Sequence, residues 1–265
     1  MWLLCGGLIL TQLADFITQD NAIIFFLLFS RISGVMAFFP FYSHTSISTV
    51  LKASLTFYLS ILFFPAVTLN AVPVNMSDMA LMVLSEFMLG LIAGLVLNMI
   101  FGALGLAGMQ IAMVMGFSMA SVMDPSTGTN TPIISNILTL IAVMMLLAFD
   151  GHHLILLFLN ETMGSIELGG FYPEQFIWEY LSKAFTHMFV MGFIISFPIM
   201  ALSILSDVIF GMLMKTMPQF NLLVVGFPIK IFLSIMVLSA VLGAMMQIFK
   251  REFLESFEFL KIILH

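Results

Sequence analysis

The group of residues best suited to binding a metal ion is Asp150-Gly151-His152-His153. One carboxylate and two imidazoles are ligands that transition metals accept. Adjacent histidines at a helix end rarely converge on one ion, however, and no cysteine or distant Asp/His set completes a ligand sphere. We therefore predict no metal here and expect the C-terminal turn of a helix, with Gly151 as its cap.

Other arrangements typical of enzymes are weak in this sequence. Ser118, Ser121 and Ser126 have no base or oxyanion arrangement near them. The sequence also contains neither a phosphate-binding loop nor a dinucleotide-binding fingerprint. We expect a protein that is not an enzyme, needs no cofactor, and depends on other subunits for energy.

Three ionised side chains lie inside apolar runs, namely Arg31, Glu86 and Lys230. A charge at the centre of a membrane helix costs about 2.5–3.5 kcal/mol on insertion scales, so such groups pair, face a bundle interior or line water. A proton or ion relay is one hypothesis, and buried structural pairing is the other. We favour pairing, with Arg31 and Glu86 as the candidate partners, because no second carboxylate or histidine lies at relay spacing.

The composition excludes a soluble globular domain. Of the 265 residues, 62% are hydrophobic and 8% are charged, whereas charged residues make up about a quarter of a soluble domain. The net charge of −6 rests on few ionised groups and predicts no nucleic-acid partner. The single Cys5 excludes an internal disulfide. We predict an all-α protein that is integral to a lipid membrane or assembles within one.

The apolar runs predict about six membrane spans, since each span needs about 20 residues. The runs cover residues 2–13, 22–41, 51–69, 79–123, 133–149, 154–159, 185–214 and 222–249. Period-2 alternation is absent, so a membrane β-barrel is a poor alternative. As one helix, 79–123 would be about 67 Å long at 1.5 Å per residue. That is twice a hydrocarbon core of about 30 Å, so the run must break, turn back or protrude.

The final two long runs predict an antiparallel helical hairpin. A short turn at 215–221, which contains Met217, Pro218 and Gln219, joins them. Two tilted spans are the simpler alternative. Before the hairpin, Pro173 suits the first turn of a short amphipathic helix. After it, the tail 250–265 predicts an amphipathic helix on a membrane or partner surface.

A stripe of small residues predicts close helix packing in the 79–123 run. Its glycines recur mostly at spacings of three or four: Gly90, Gly94, Gly102, Gly105, Gly108 and Gly116. Small residues let membrane helices approach closely, although membrane helices are also generally rich in glycine. Steps of four drift around a helix of 3.6 residues per turn. The stripe therefore needs more than one partner helix, or a break at 102–108.

The segment 115–132 reads as a loop of unusual composition between two apolar runs. Met115, Met119 and Met123 recur every four residues as it begins. Asp124-Pro125, Gly128 and Asn130-Thr131-Pro132 are turn signals that fill its second half.

Several motifs together resemble the signature of the FliR family, a subunit of the flagellar type III export gate. In chain order they are Gly108-Met109-Gln110-Ile111, Met115-Gly116-Phe117-Ser118, Asp124-Pro125, Phe149-Asp150-Gly151-His152, Met217-Pro218-Gln219 and Val225-Gly226-Phe227-Pro228. Their order, their spacing and the chain length agree with the family. The equivalent subunit of virulence injectisomes shares the fold with weaker similarity at these motifs and is the near alternative.

The resemblance implies an assembly in the bacterial inner membrane at the flagellar basal body. The chain would join FliP and FliQ in a spiral of helical hairpins around a pore for unfolded flagellar substrates, with FlhB and FlhA beside it. Residues 1–183 would be FliP-like, and 184–265 would be a FliQ-like hairpin with an amphipathic C-terminal helix.

The resemblance also implies that 115–131 is the plug that obstructs the closed pore. Its residues include Met115, Phe117, Met119, Val122, Met123, Asp124 and Pro125. This sequence has Met119 and Val122 where relatives often have phenylalanines, although a flexible methionine can conform to a closing ring. A stand-alone polytopic transporter and an interaction scaffold without a conduit are alternatives from other functional classes.

Overall fold

The chain folds into α-helices throughout the part that the computed structural model describes, which comprises residues 19–38, 48–67, 75–116, 132–172, 175–217 and 222–262. The helices are α1 (Gln19–Phe38), α2 (Thr49–Phe63), α3 (Met76–Met115), α4 (Ile133–Ala148), α5 (Gly151–Ser165), α6 (Gln175–Thr216) and α7 (Phe227–Ile262). A 3-10 turn, Phe64–Ala66, follows α2, and a π-helical turn, Leu222–Gly226, precedes α7. No strand occurs within these ranges. The prediction of an all-α membrane protein is confirmed.

Five of these helices are long and apolar enough to cross a membrane. They are α1, α2 with its 3-10 turn, α3, α6 and α7. A sixth span results if α4 and α5, which meet at a bend of 67°, count as one. The expected number of about six therefore agrees with the helices that the structure describes.

The long helix α3 runs for 40 residues without interruption. At 1.5 Å per residue it measures about 60 Å, twice the thickness of a hydrocarbon core. Of the alternatives for the small-residue stripe, a break at 102–108 is thus wrong, and several partner helices are required. The helix ends at Gly116, whose φ of 88° is accessible to glycine at little cost.

The predicted short helix near Pro173 is wrong in extent, and the predicted location of the tail on a membrane or partner surface is not what the structure shows. Helix α6 begins at Gln175 and continues for 42 residues, because no glycine or proline divides its amphipathic start from the apolar run. Helix α7 likewise includes the amphipathic tail. The tail's apolar residues Phe253 and Leu260 are fully buried. The tail therefore packs within the chain, and its apolar face does not lie on a membrane or partner surface.

Helices α6 and α7 form the antiparallel hairpin that the sequence predicts. Lys230 binds Asp207, and His187 lies 2.7 Å from Glu252. These two pairs fall almost symmetrically about the turn, as antiparallel helices require. Met217 follows α6 directly. Pro218 and Gln219 lie outside the described residues.

The chain divides into two compact units. One comprises the described residues of Met1–Asn98, His153–Trp178 and Phe257–His265, and the other those of Met99–His152 and Glu179–Ser256. The predicted boundary at 183 separates a FliP-like part from a FliQ-like part. It describes a resemblance and not a compact unit, so it stays a prediction.

In the first unit, α1 and α3 touch backbone to backbone. A Cβ on Gly34 would lie 2.5 Å from the carbonyl oxygen of Phe87, and one on Gly94 would lie 2.8 Å from that of Val35. A Cβ on Gly90 would collide with the carbonyl oxygen of Arg31. These glycines are therefore required by the close approach of two helices.

We expect Gly90→Ala and Gly34→Ala to lower the melting temperature of the purified protein. The added methyl groups overpack a backbone contact, which costs about 1–3 kcal/mol. Thermal unfolding in detergent measures the change.

The matched control is Gly164→Ala, because the space around that helical glycine is open. This substitution should be neutral or stabilising, since alanine is the better helix former by about 1 kcal/mol. Equal melting temperatures for Gly90→Ala and Gly164→Ala would contradict the packing assignment.

Candidate functional site

The candidate site is the set of helices that hold the two ends of the predicted plug. Phe117, Met119, Val122, Met123, Asp124 and Pro125 lie outside the described residues. The structure does describe the chain as it leaves α3 at Gly116 and as it enters α4 after Pro132. We use the term loop frame for residues 102–116 of α3, the start of α4, residues 188–203 of α6 and Phe227. All of these residues belong to the second compact unit.

The segment leaves the frame at a buried position. Met115 is fully buried at the end of α3. Gly116 then takes a left-handed conformation, and a Cβ there would lie 3.0 Å from the Phe227 ring. Both the backbone angle and the adjacent ring therefore disfavour any other residue at 116.

The segment returns to the same helix. Pro132 is extended and precedes the first residue of α4. Ser135 donates a hydrogen bond from its hydroxyl to the carbonyl oxygen of Gly105, at 2.9 Å. A Cβ on Gly108 would collide with the Cα of Ser135. The described residues on the two sides of 117–131 therefore lie at or against the C-terminal part of α3.

Helix α6 stabilises this part of α3 through two serines. Ser203 donates to the carbonyl oxygen of Val114 at 2.7 Å, and Ser196 donates to Oε1 of Gln110 at 2.6 Å. The first bond satisfies a carbonyl in the last turn of α3, which has no partner within the helix. Sequence analysis missed both serines, although a spacing of seven residues places them on one face of α6.

The third predicted intramembrane charge, Lys230, pairs with a residue that sequence analysis also missed. Its ammonium group donates to both carboxylate oxygens of Asp207, at 2.7 and 2.9 Å. Lys230 is buried, whereas 60% of the Asp207 side chain is exposed. Asp207 follows Ser203 by about one helical turn and Lys230 follows Phe227 by about one turn, so the pair joins α6 to α7 next to the frame.

In the first unit, Arg31 and Glu86 form a fully buried ion pair. Nε of Arg31 donates to Oε2 of Glu86, and Nη2 donates to Oε1 at 3.0 Å. Nη1 also donates to the carbonyl oxygen of Thr162 at 2.8 Å. Glu86 in turn accepts a bond from the backbone amide of Gly169 at 2.6 Å. These hydrogen bonds join α1 and α3 to the C-terminal end of α5 and to the turn after it. The role of the ion pair is therefore structural.

The turn at Asp150 differs from the predicted cap. Asp150 has the positive φ, 58°, whereas Gly151 is the first residue of α5. A Cβ on Gly151 would lie 2.7 Å from Cδ1 of Leu146 and 2.8 Å from Cε2 of Phe149, so both side chains would have to shift. The ligand atoms of Asp150, His152 and His153 all lie within 4.8 Å of one another. The side chains therefore converge, contrary to the expectation from sequence.

We expect Arg31→Glu and Glu86→Arg to unfold or strongly destabilise the protein, because each leaves like charges buried. Breaking a buried pair typically costs about 3–5 kcal/mol. The double exchange should recover part of the loss only, since a carboxylate at position 31 would then face the Thr162 carbonyl. Expression level and thermal unfolding in detergent report the effect.

The exposed pair of Lys261 and Glu258 provides the control. Reversing both of its charges should leave stability nearly unchanged, as is typical of surface pairs. A double Arg31/Glu86 exchange no better than either single exchange would exclude pairing as the role of these residues.

The chain matches the family model for bacterial export proteins, family 1, over residues 22–256. A relative from Bacillus subtilis named flagellar biosynthetic protein FliR is 30% identical over 246 residues, which cover 91% of this chain and 94% of the relative. Proteins of the same name from Pectobacterium carotovorum and Escherichia coli are 27% and 25% identical. These matches cover 91% and 88% of this chain, and 92% and 90% of the respective relatives. The chain therefore belongs to the FliR family of bacterial export proteins, which are membrane components of the flagellar export apparatus.

Proposed function

We propose that this chain assembles with FliP and FliQ into the central channel of the flagellar export gate in the bacterial inner membrane. Unfolded flagellar substrates pass through that channel, and FlhB and FlhA act beside it. Family membership over nearly the whole chain supports this proposal. The chain contributes the plug of the closed channel and performs no covalent chemistry.

One observation supports the plug assignment: the described residues on the two sides of 117–131 lie at or against the same helix. Gly116 leaves α3 against Phe227, and Ser135 returns to Gly105 and Gly108. A segment between two such fixed points can be positioned by the packed helices of the loop frame, without a hydrophobic core of its own. This arrangement suits a segment whose task is to obstruct.

The obstruction is steric and desolvating. Phe117, Met119 and Val122 present apolar side chains that exclude water and ions from the closed pore. The second half of the segment is rich in Gly, Pro and Thr, which supplies the turns about which it swings aside. Methionine, being unbranched and polarizable, conforms to a ring of partner side chains.

The hairpin of α6 and α7 supplies lateral contacts to the assembly, as the proposed FliQ-like part of the chain. Large apolar side chains project outward along both helices, among them Phe197 and Ile204 on α6 and Phe232 and Met236 on α7. A surface of this kind is stable against lipid or against the apolar face of a neighbouring subunit. Asp207, exposed among these side chains, suits a protein neighbour better than lipid.

Two alternatives remain distinguishable. An injectisome subunit would share the fold, but the relatives described above carry flagellar names. A scaffold without a conduit would share the partners, and ion leakage separates it from a channel subunit.

Deleting residues 117–123 should make the closed FliP–FliQ–FliR assembly leak ions. The deletion removes the apolar part of the plug and leaves both anchors on α3. Conductance across a planar bilayer, or dye release from vesicles that contain the assembly, measures the leak.

A milder variant retains the length of the loop: Phe117→Ser, Met119→Ser and Val122→Ser together should also leak. The matched control replaces Thr127, Thr129 and Thr131 with serine, which preserves polarity, and should stay closed. Conductance that is unchanged by the deletion would rule out the plug.

Co-expression with FliP and FliQ should yield one complex that survives purification through a tag on this chain. Mass spectrometry of the eluate identifies the three subunits. A chain that elutes alone and transports substrate when reconstituted alone would establish a stand-alone transporter instead.

A further inference from the structure

The junction between α4 and α5 places three metal-ligating side chains together. Two residues, Phe149 and Asp150, separate the helices, and the chain bends by 67° at this break. The carboxylate of Asp150 and the imidazoles of His152 and His153 each offer one ligand atom, and these atoms lie within 4.8 Å of one another. Among the residues that the structure describes, no other set of three such side chains converges in this way.

The ligand atoms lie somewhat farther apart than in a formed coordination sphere. Zinc binds histidine nitrogen and carboxylate oxygen at about 2.0–2.2 Å, so two ligand atoms of a tetrahedral site lie about 3.4 Å apart. The three ligand atoms lie within 4.8 Å of one another, so they are near enough to share one ion after side-chain adjustment. We propose that Asp150, His152 and His153 bind a zinc ion.

The donor set favours zinc over the hard cations. Two imidazole nitrogens and one carboxylate oxygen suit zinc and its transition-metal neighbours, whereas magnesium and calcium prefer oxygen ligands alone. The carboxylate also neutralises part of the ion's charge at the N-terminus of α5, where the helix dipole opposes a cation. Three protein ligands leave the fourth position of a tetrahedron for water or a partner's side chain.

The local fold holds the ligands in place. Asp150 lies in the left-handed region, with φ of 58°, at the 67° bend between the two helices. Gly151 lies against the side chains of Leu146 and Phe149, which a Cβ at this position would displace. His152 and His153 then fall in the first turn of α5. Because Asp150 and His153 are exposed, an ion can enter from solvent.

The bound ion would act as a structural clamp. It links the residue that ends the turn after α4 to the first turn of α5, and so fixes the two-residue junction. This role requires no catalysis, and it is independent of the proposed plug.

Zinc binding to the purified full-length chain tests the site. The affinity tag is removed, and the protein is stripped with chelator before titration calorimetry with zinc chloride. We expect one ion per chain. Asp150→Asn and His153→Gln should each weaken binding more than about 100-fold, since removal of an outer-shell partner alone costs about 10- to 100-fold. Asparagine tolerates the left-handed conformation at 150, so the turn is preserved.

His187→Gln is the matched control, because it removes an exposed histidine outside the cluster. It should bind zinc as tightly as the unchanged protein. Zinc should also raise the melting temperature of the unchanged protein and of His187→Gln, since a ligand of the folded state stabilises it. It should leave that of Asp150→Asn and His153→Gln unchanged, and circular dichroism checks that both variants stay helical.

Absence of binding by the unchanged chain would overturn the proposal. So would binding by Asp150→Asn and His153→Gln at the affinity of the unchanged protein, or an equal loss in His187→Gln.

Discussion

The contact of backbone with backbone along α3 is the constraint on which the rest of the structure depends. Lipid is as apolar as a protein core, so hydrophobic burial alone does not select one neighbour for a membrane helix. Close approach at small residues does. At Gly90 the missing Cβ leaves room for the carbonyl oxygen of Arg31. Because α1 comes this near, the side chain of Arg31 reaches Glu86, one turn before Gly90 on α3. The same feature at Gly108 lets Ser135 rest on α3 at the start of α4.

A second constraint concerns polar groups in an apolar protein, which must find partners within the chain or its assembly. Arg31 and Glu86 satisfy each other and also a carbonyl and an amide near the end of α5. Ser203 satisfies a carbonyl at the end of α3. The charge of Lys230 is balanced by Asp207. Because the Asp207 side chain is largely exposed, its carboxylate can also accept a hydrogen bond from outside the chain. In the part of the chain that the structure describes, these polar contacts therefore fix helix ends and helix pairs.

Much of the fold was predictable because the signals were local. Long apolar runs predicted the helices, the polar turn after 214 predicted the hairpin, and small residues at helical spacing predicted close contacts. The limits of helices were less predictable. Helices α6 and α7 are longer than their apolar runs because nothing in the sequence stops them before the amphipathic ends. At Asp150 the sequence pattern favoured Gly151 as the cap, but the positive φ falls on Asp150, and Gly151 begins α5.

The sequence by itself determined that the chain is an apolar, all-helical membrane protein, that it resembles export-gate subunits, and that Arg31 and Glu86 were plausible partners. Each of these depends on residue type and on spacing along one chain segment. Tertiary structure alone decided which helix faces which glycine, that Ser196 and Ser203 bind α3, and that Asp207 binds Lys230. It also decided that the start of α4, which follows 117–131, packs on α3. The physical reason is that these contacts join residues distant in sequence, so their energies depend on how helices pack, which no local pattern contains.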